Sequence, residues 1–214
     1  MLHQSNNELL EFNNSKKNQQ RISQCKGYIF ISCPDFSHVN RVYTFNEISN
    51  GIPLTFSLAQ ENLLKLSAHK KLTVYLSDHE AMRTDVQRRL KMTKGEIVSK
   101  INESLNKIKG IFYNSYLLSS VYPYESVSGA KKLVPDDYQM QLALIYWSDE
   151  GKSIQELKDR YVEKYAQMYV CMKFCKEYNL CPIFMYSKFN LNLISNIRKL
   201  LTIPVLFLEV TDPH

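Results

Sequence analysis

Glycine is scarce in this chain, with six in 214 residues. The sequence has no G-x-G-x-x-G fingerprint of dinucleotide-binding domains and no Walker loop of nucleoside triphosphatases. Both motifs need glycine because the backbone must approach a phosphate closely. Their absence argues against dinucleotide and nucleoside triphosphate binding.

Long hydrophobic runs are missing as well. No apolar stretch approaches the roughly 20 residues that span a bilayer, and the N-terminal MLHQSNNELLEFNNSKKNQQ lacks the apolar centre of a signal peptide. We therefore expect a cytoplasmic protein without membrane contact. Residues 1–25, rich in Asn, Gln, Ser and Lys, predict a flexible or short-helical lead-in, and residues 26–214 predict a single α/β domain.

Cysteine is present without a disulfide framework. The chain has five cysteines, an odd number, so reduced thiols are expected: Cys25, Cys33, Cys171, Cys175 and Cys181. Cys171 and Cys175 are four residues apart in an apolar helical pattern with no histidine nearby. This favours buried structural thiols over metal ligands, and no metal is expected.

Positive charge is concentrated in one segment. The net charge is +6, and between Arg83 and Lys109 eight basic residues face three acidic ones. Lysine and arginine on successive helical turns favour contact with an anionic partner such as RNA. The alternative is a solvated helix face with ion pairs at i, i+4 spacing.

Short β-rich runs alternate with helical patterns along the chain. Helices are predicted near 57–68, over 79–110 and 136–151, and over 153–179, where Ser153 and Glu156 have capping-box spacing. Residues 110–129 predict a third strand followed by a loop rich in Pro, Ser and Gly. The alternation predicts an α/β, Rossmann-like fold with a mainly parallel sheet flanked by helices. The other predicted strands are GYIFIS, LTVYLS, CPIFMYS and IPVLFLEV.

Polar residues follow the predicted strands where each leaves the sheet. Carboxyl ends of parallel strands share one edge, where ligands gather, although polar residues also end strands that have no function. A Ser32 or Cys33 nucleophile would need a base such as His38 or His79, and no G-x-S-x-G elbow surrounds either nucleophile. A small Ser or Cys hydrolase is therefore the least favoured function. The strand-end residues are Ser32, Cys33, Asp35, Ser77, Asp78, Tyr186 and Ser187.

Four segments together carry a family resemblance. They are YIFIS, ending in Ser32; LTVYLSDHEAMRTDVQRRLKMTKG, a strand followed by a basic helical region; RYVEKYAQMY with CPIFMYS; and IPVLFLEV. In type and order they resemble the tRNA-dependent cyclodipeptide synthases, a family whose Rossmann-like fold is related to the catalytic domain of class I aminoacyl-tRNA synthetases.

The resemblance implies an aminoacyltransferase that uses aminoacyl-tRNA as its partner substrate and forms a cyclic dipeptide. Ser32 would take the first aminoacyl group, and no cofactor is expected because the tRNA ester is already activated. Tyr161 and Tyr186 would contact the aminoacyl moiety, beside Asp35 and Ser187. The tRNA contacts implied are Arg83, Arg88, Arg89, Lys91, Lys94 and Lys100.

Tyr165 stands where the family has the glutamate that binds the substrate amino group. A desolvated ammonium group without a carboxylate is costly, and a neutral phenol is a weak substitute. Either Glu163, Asp78 or Asp35 supplies the charge, or the chain no longer closes dipeptides. The second alternative is a non-catalytic protein that binds tRNA or another anion on the same fold. The helical tyrosine stripe that includes Tyr161 and Tyr165 is also typical of a buried core.

Overall fold

A five-stranded parallel sheet with helices on both faces forms the centre of the molecule, which confirms the predicted α/β, Rossmann-like fold. The computed structural model describes residues 11–32, 51–79, 84–134, 153–185, 193–194, 197–198 and 200–208. The strand order is β3-β2-β1-β4-β5. The strands are β1 (Gly27–Ser32), β2 (Lys71–Leu76), β3 (Ser115–Leu117), β4 (Cys181–Met185) and β5 (Leu206–Leu208).

Six α-helices in the described part of the chain connect and cover the strands. The N-termini of α4 and α6 carry reciprocal capping boxes, in which Thr93 bonds with Glu96 and Ser153 with Glu156; the second confirms its predicted spacing. The described residues between 193 and 201 are also helical. The helices are α1 (Lys16–Gln24), α2 (Leu54–Ser67), α3 (Thr84–Leu90), α4 (Lys94–Ile111), α5 (Tyr124–Ala130) and α6 (Ile154–Tyr178), with 3₁₀ turns at Leu118–Ser120 and Lys131–Leu133.

The prediction of a loop at the end of residues 110–129 is wrong, because α5 begins at Tyr124. Pro123 precedes its first turn, where the missing N–H removes no helical hydrogen bond. Val127 and Ala130 are buried against Ala166 of α6. This burial favours the helix over the turn that Pro, Ser and Gly indicate.

Two apolar cores lie on opposite faces of the sheet. On one face, Phe30 of β1 packs with Phe56 of α2 and Ile101 of α4. On the other, Ile29 of β1 packs with Leu157 and Met172 of α6. Alternate residues of β1 thus serve both cores, as expected for a strand buried on both faces.

The strand order places β1 at the centre of the sheet, between β2 and β4. From β1 the chain builds outward to β2 and β3, and it then returns through α6 to β4 on the other side of β1. The carboxyl ends of β1 and β4 therefore flank the topological switch point, where open α/β sheets bind ligands. Ser32 is the last residue of β1.

The described part of the predicted lead-in packs on the outer edge of β5. The side-chain amide of Asn13 donates to the carbonyl oxygen of Phe207 at 2.8 Å and accepts from its N–H at 3.2 Å. Asn18 donates to the carbonyl oxygen of Val205 at 3.0 Å and accepts from its N–H at 3.4 Å. The two amides thereby occupy backbone groups that an edge strand otherwise leaves open.

Candidate functional site at the carboxyl edge of the sheet

Ser32 is completely buried at the carboxyl end of β1, with 0% of its surface exposed. Its carbonyl oxygen accepts the N–H of Ser77 at 2.9 Å, which extends the β1–β2 pairing by one residue. Its hydroxyl has no hydrogen-bond partner among the described residues. Buried polar groups without a hydrogen bond are rare and destabilising, so this hydroxyl is a candidate for contact with a ligand.

Two more hydroxyls are buried, those of Ser77 and Tyr122. Ser77 follows β2 directly, and Tyr122 follows the turn after β3. Neither hydroxyl is hydrogen-bonded within the described part of the chain. Burial raises the pKa of Tyr122 far above its ordinary value, with smaller contributions from neighbouring thiols, so its phenol stays protonated.

His79 and Asp78 link the end of β2 to the segment after β3. Nε2 of His79 lies 2.8 Å from the carbonyl oxygen of Tyr122. A carbonyl oxygen can only accept, so Nε2 carries a proton and donates this hydrogen bond. Asp78 accepts the N–H of Ser119 at 2.9 Å. These bonds fix the geometry of the edge at β2 and β3.

Tyr161 and Tyr165 lie in the core that α6 forms. Both are almost completely buried, and their ring centroids are 6.4 Å apart. Ser32 follows Tyr28 and Phe30 on the face covered by α2 and α4, and it pairs with Leu76 on the same face. The structure therefore places the two tyrosines and the serine on opposite faces of the sheet.

The carboxylates considered as substitutes for the family glutamate already have partners where they are described. Glu163 is 5% exposed. It forms an ion pair with Lys131 and accepts from Nε2 of Gln167 at 3.3 Å. Asp78 is engaged by Ser119. Glu163 therefore has its charge balanced by a lysine of the chain, as a buried carboxylate requires.

The predicted tRNA-contacting residues separate into two groups. Arg88 is exposed and pairs with Glu156 at the start of α6, 2.5 Å away. Lys91 and Lys94 are exposed around the turn that joins α3 to α4, where Lys91 has a left-handed backbone with φ of 52°. We call Arg88, Lys91 and Lys94 the α3–α4 corner. Lys100 differs from these three, because it is half-buried on α4.

Several predicted site residues lie outside the described residues. They are Cys33, Asp35, His38, Arg83, Tyr186 and Ser187. The same holds for the side chain of Arg89, although its backbone belongs to α3.

Sequence reasoning missed Tyr122 as a member of this edge. Its contact with His79 joins residues 43 positions apart, and it arises only because β2 and β3 are neighbours in the sheet. No local pattern around Tyr122 marks it, whereas the strand-end rule did identify Ser77 and Asp78.

Metal binding and membrane insertion find no support in the described segments. Across them, no three His, Cys, Asp or Glu side chains converge in a way that would hold a metal ion. None of their helices is both long and apolar enough to cross a membrane. Comparisons of the chain with protein-family models, with curated proteins and with solved structures find no match.

Proposed function

We propose that the chain is an aminoacyltransferase that uses aminoacyl-tRNA, with Ser32 as the residue acylated in the first step. The observation that carries the proposal is the buried hydroxyl of Ser32 at the carboxyl end of the central strand, which has no hydrogen-bond partner among the described residues. A buried polar group without a partner destabilises the fold, and a bound substrate would supply the missing hydrogen bond.

The first step exchanges one ester for another. The Ser32 oxygen attacks the carbonyl carbon of the aminoacyl ester, and the bond from that carbon to the ribose oxygen of tRNA breaks. The serine proton passes to the departing ribose oxygen. Because bond energy is conserved between the two esters, neither ATP nor a metal is required.

A dipeptide forms when the amino group of a second aminoacyl unit attacks the Ser32 ester. The free amino group of this dipeptide then attacks the ester that still joins the dipeptide to the second tRNA. This attack closes the ring and releases that tRNA. Glu163 is occupied by Lys131, so the ammonium of the substrate needs another acceptor. Asp35, three residues after Ser32, is our candidate for that role.

Intact-protein mass spectrometry after mixing the chain with charged tRNAs tests the acylation step. We expect a mass increase equal to one aminoacyl residue, lost in Ser32→Ala and retained in Ser77→Ala. Ser77 is the matched control, because it is a neighbouring buried serine whose hydroxyl is also unbonded among the described residues. An adduct that persists in Ser32→Ala would refute the covalent scheme, and ester turnover without RNA would indicate a hydrolase.

A non-catalytic protein that binds tRNA or another anion is the second candidate. Two observations favour it: Ser32 is fully buried, and Tyr161 and Tyr165 belong to the opposite core. The α3–α4 corner would then hold phosphates by charge alone, without reading sequence.

Charge reversal at the α3–α4 corner tests RNA binding for both candidates. Lys91→Glu with Lys94→Glu should weaken tRNA binding at low salt and flatten its dependence on salt concentration. The matched control is Lys16→Glu with Lys17→Glu, which makes the same change of charge on exposed residues of α1. Equal losses in both variants would mean that the attraction is diffuse and that the corner is not the binding surface.

A further inference from the structure

β5 is an edge strand of the sheet in the described part of the chain, and side chains close its outer side. Backbone groups of alternate residues in a strand point to opposite neighbours. Those of Val205 and Phe207 point away from β4, and we call them the β5 edge. Asn18 bonds both groups of Val205, and Asn13 bonds both groups of Phe207. Residues 12–24, which contain both asparagines, are the α1 segment.

Each of the two asparagines imitates one residue of an antiparallel strand. A primary amide carries an N–H donor and a carbonyl acceptor, as a peptide group does. In the hydrogen-bonded pairs of an antiparallel ladder, two facing residues exchange both bonds, and each asparagine does so with one residue of the β5 edge. The direction also matches, because the earlier asparagine, Asn13, bonds the later residue, Phe207. The α1 segment therefore offers the bonding pattern of an antiparallel strand.

Other side chains hold the α1 segment in this position. Nη2 of Arg198 donates to Oδ1 of Asn18 at 3.2 Å, which leaves the amide nitrogen of Asn18 to donate to the edge. Phe12 packs edge-on against Phe207, with ring centroids 5.3 Å apart. The Arg198 guanidinium lies 4.5 Å from the centroid of the Phe12 ring. The edge is thus closed by the side chains of one short segment.

The β5 of a second copy satisfies the same backbone groups. A strand that pairs with its own copy across a two-fold axis is antiparallel, and both copies use the same surface. With the axis at Leu206, Val205 of each copy faces the second copy's Phe207. Both pairs exchange their N–H and carbonyl groups, so every group of the β5 edge regains a partner. The edge is therefore complementary to itself in the direction that the asparagines already imitate.

Charge also favours the antiparallel arrangement. Residues 205–208 are Val, Leu, Phe and Leu, so no charge lies at the centre of the pairing. Arg21 and Arg198 donate to carbonyl oxygens at the amino end of the edge, those of Thr202 and Ile203. Antiparallel pairing about Leu206 separates the Ile203 positions of the two copies by about 20 Å along the strands. The arginines of the two copies consequently lie at opposite ends.

We propose that the β5 edge is a self-association surface for a second copy of the chain, and that Asn13 and Asn18 hold it closed. When the asparagines leave, β5 of the second copy takes their place. The five-stranded sheets of the two copies then form one continuous sheet. The amide hydrogen bonds of the α1 segment and the β5–β5 pairing compete for the same backbone groups, so weakening the first favours the second.

The exchange leaves the rest of the fold in place. The ammonium of Lys70 holds the end of α1 separately, because it donates to the carbonyl oxygens of Ile22, Ser23 and Cys25 at 2.8 to 2.9 Å. The asparagines that leave the edge precede these residues in the chain. Ser32 lies on β1, and β4 separates β1 from β5. The proposal therefore does not depend on the function proposed for Ser32.

Sedimentation equilibrium and cysteine cross-linking of the full-length chain test the proposal. In the double variant Asn13→Ala, Asn18→Ala the mass should rise toward that of a dimer with concentration, and the control Asn14→Ala, Gln20→Ala, at exposed positions, should match the wild type. Adding Leu206→Cys should give a disulfide between copies, because the Cα atoms on the axis are about 4.5 Å apart. Leu208→Cys should not, since its copies lie about 13 Å apart along the strands.

The same two cysteine substitutions are also tested in the otherwise unchanged chain, so the result does not depend on how well the double variant folds. There the edge opens rarely, and the Leu206→Cys cross-link should form more slowly, at a rate that rises with protein concentration. Peptide mapping separates it from disulfides of the native cysteines. The proposal is overturned if Leu206→Cys cross-links no faster than Leu208→Cys in both backgrounds, or if a dimer forms without that cross-link.

Discussion

At the scale of single residues, the buried hydroxyl of Ser32 makes opposite predictions for stability and for activity. Ser32→Ala should remove the aminoacyl adduct and raise the free energy of unfolding by about 1 kcal/mol, because it removes a buried hydroxyl that none of the described residues bonds. The control is Ser104→Ala, which should lose about 1 kcal/mol, since the Ser104 hydroxyl donates to the carbonyl oxygen of Gly51. Urea denaturation measures both, and an equal loss in Ser32→Ala would show that its hydroxyl is bonded.

Buried hydroxyls without a partner destabilise a fold, so their positions indicate where a ligand could bind. Ser32 ends β1 and Ser77 follows β2, and both have buried hydroxyls without a partner among the described residues. Tyr122 has such a hydroxyl too, but its ring packs against Phe174 of α6. Ser104 and Ser115, which are equally buried elsewhere, have partners. Two such hydroxyls at adjacent strand ends, those of Ser32 and Ser77, favour a ligand site there over accidental strand ends.

At the scale of secondary-structure elements, the contact of α1 with β5 should contribute strongly to stability. Asn18 is fully buried, and it satisfies both backbone groups of Val205. Asn18→Ala leaves these groups without partners, so we expect a loss of about 2 to 4 kcal/mol in urea unfolding. Asn14→Ala, an exposed neighbour, is the control and should change stability little. A similar small change at Asn18 would show that water replaces the amide.

The capping boxes of α4 and α6 predict part of the acid response of the fold. Hydrogen bonds to Thr93 lower the pKa of Glu96, and hydrogen bonds to Ser153, then to Arg88, lower the pKa of Glu156. The ordinary glutamate value is 4.5, so near and below that pH the unfolded chain binds more protons than the native one. This stabilisation is complete above pH 4.5 and is lost as the pH falls through the lowered values.

Thermal midpoints measured from about pH 7 down to about pH 3 check the acid response. The double variant Glu96→Gln, Glu156→Gln should be less stable at neutral pH and should show a shallower decline toward acid. The control is Glu103→Gln, an exposed position on α4 outside its first turn, and it should follow the wild type. A double variant with an unchanged acid slope would contradict the role of the capping boxes.

At the scale of the whole molecule, one sheet serves both apolar cores, so neither core can be lost alone. β1 contributes Phe30 to one core and Ile29 to the other. We therefore expect a single calorimetric transition whose van't Hoff and calorimetric enthalpies agree. Two transitions would contradict the prediction that residues 26–214 are a single domain.

The sequence by itself determined the features that depend on short-range physics. Alternating and continuous apolar runs located β1, β2, β4 and β5, and the spacing of Ser153 and Glu156 located the start of α6. Each of these signals involves residues within a few positions of one another. Their side-chain periodicity or capping-box spacing can therefore be recognised in the sequence alone. The α/β class followed from the order of those elements.

Only the tertiary structure decided which residues meet. The strand order made β1 and β4 neighbours, it brought Tyr122 to His79, and it placed Ser32 and Tyr161 on opposite faces. It also gave Glu163 its partner Lys131 and turned the predicted loop at Tyr124 into α5. These outcomes depend on contacts between residues distant in the chain, which burial and charge select only once the sheet has assembled.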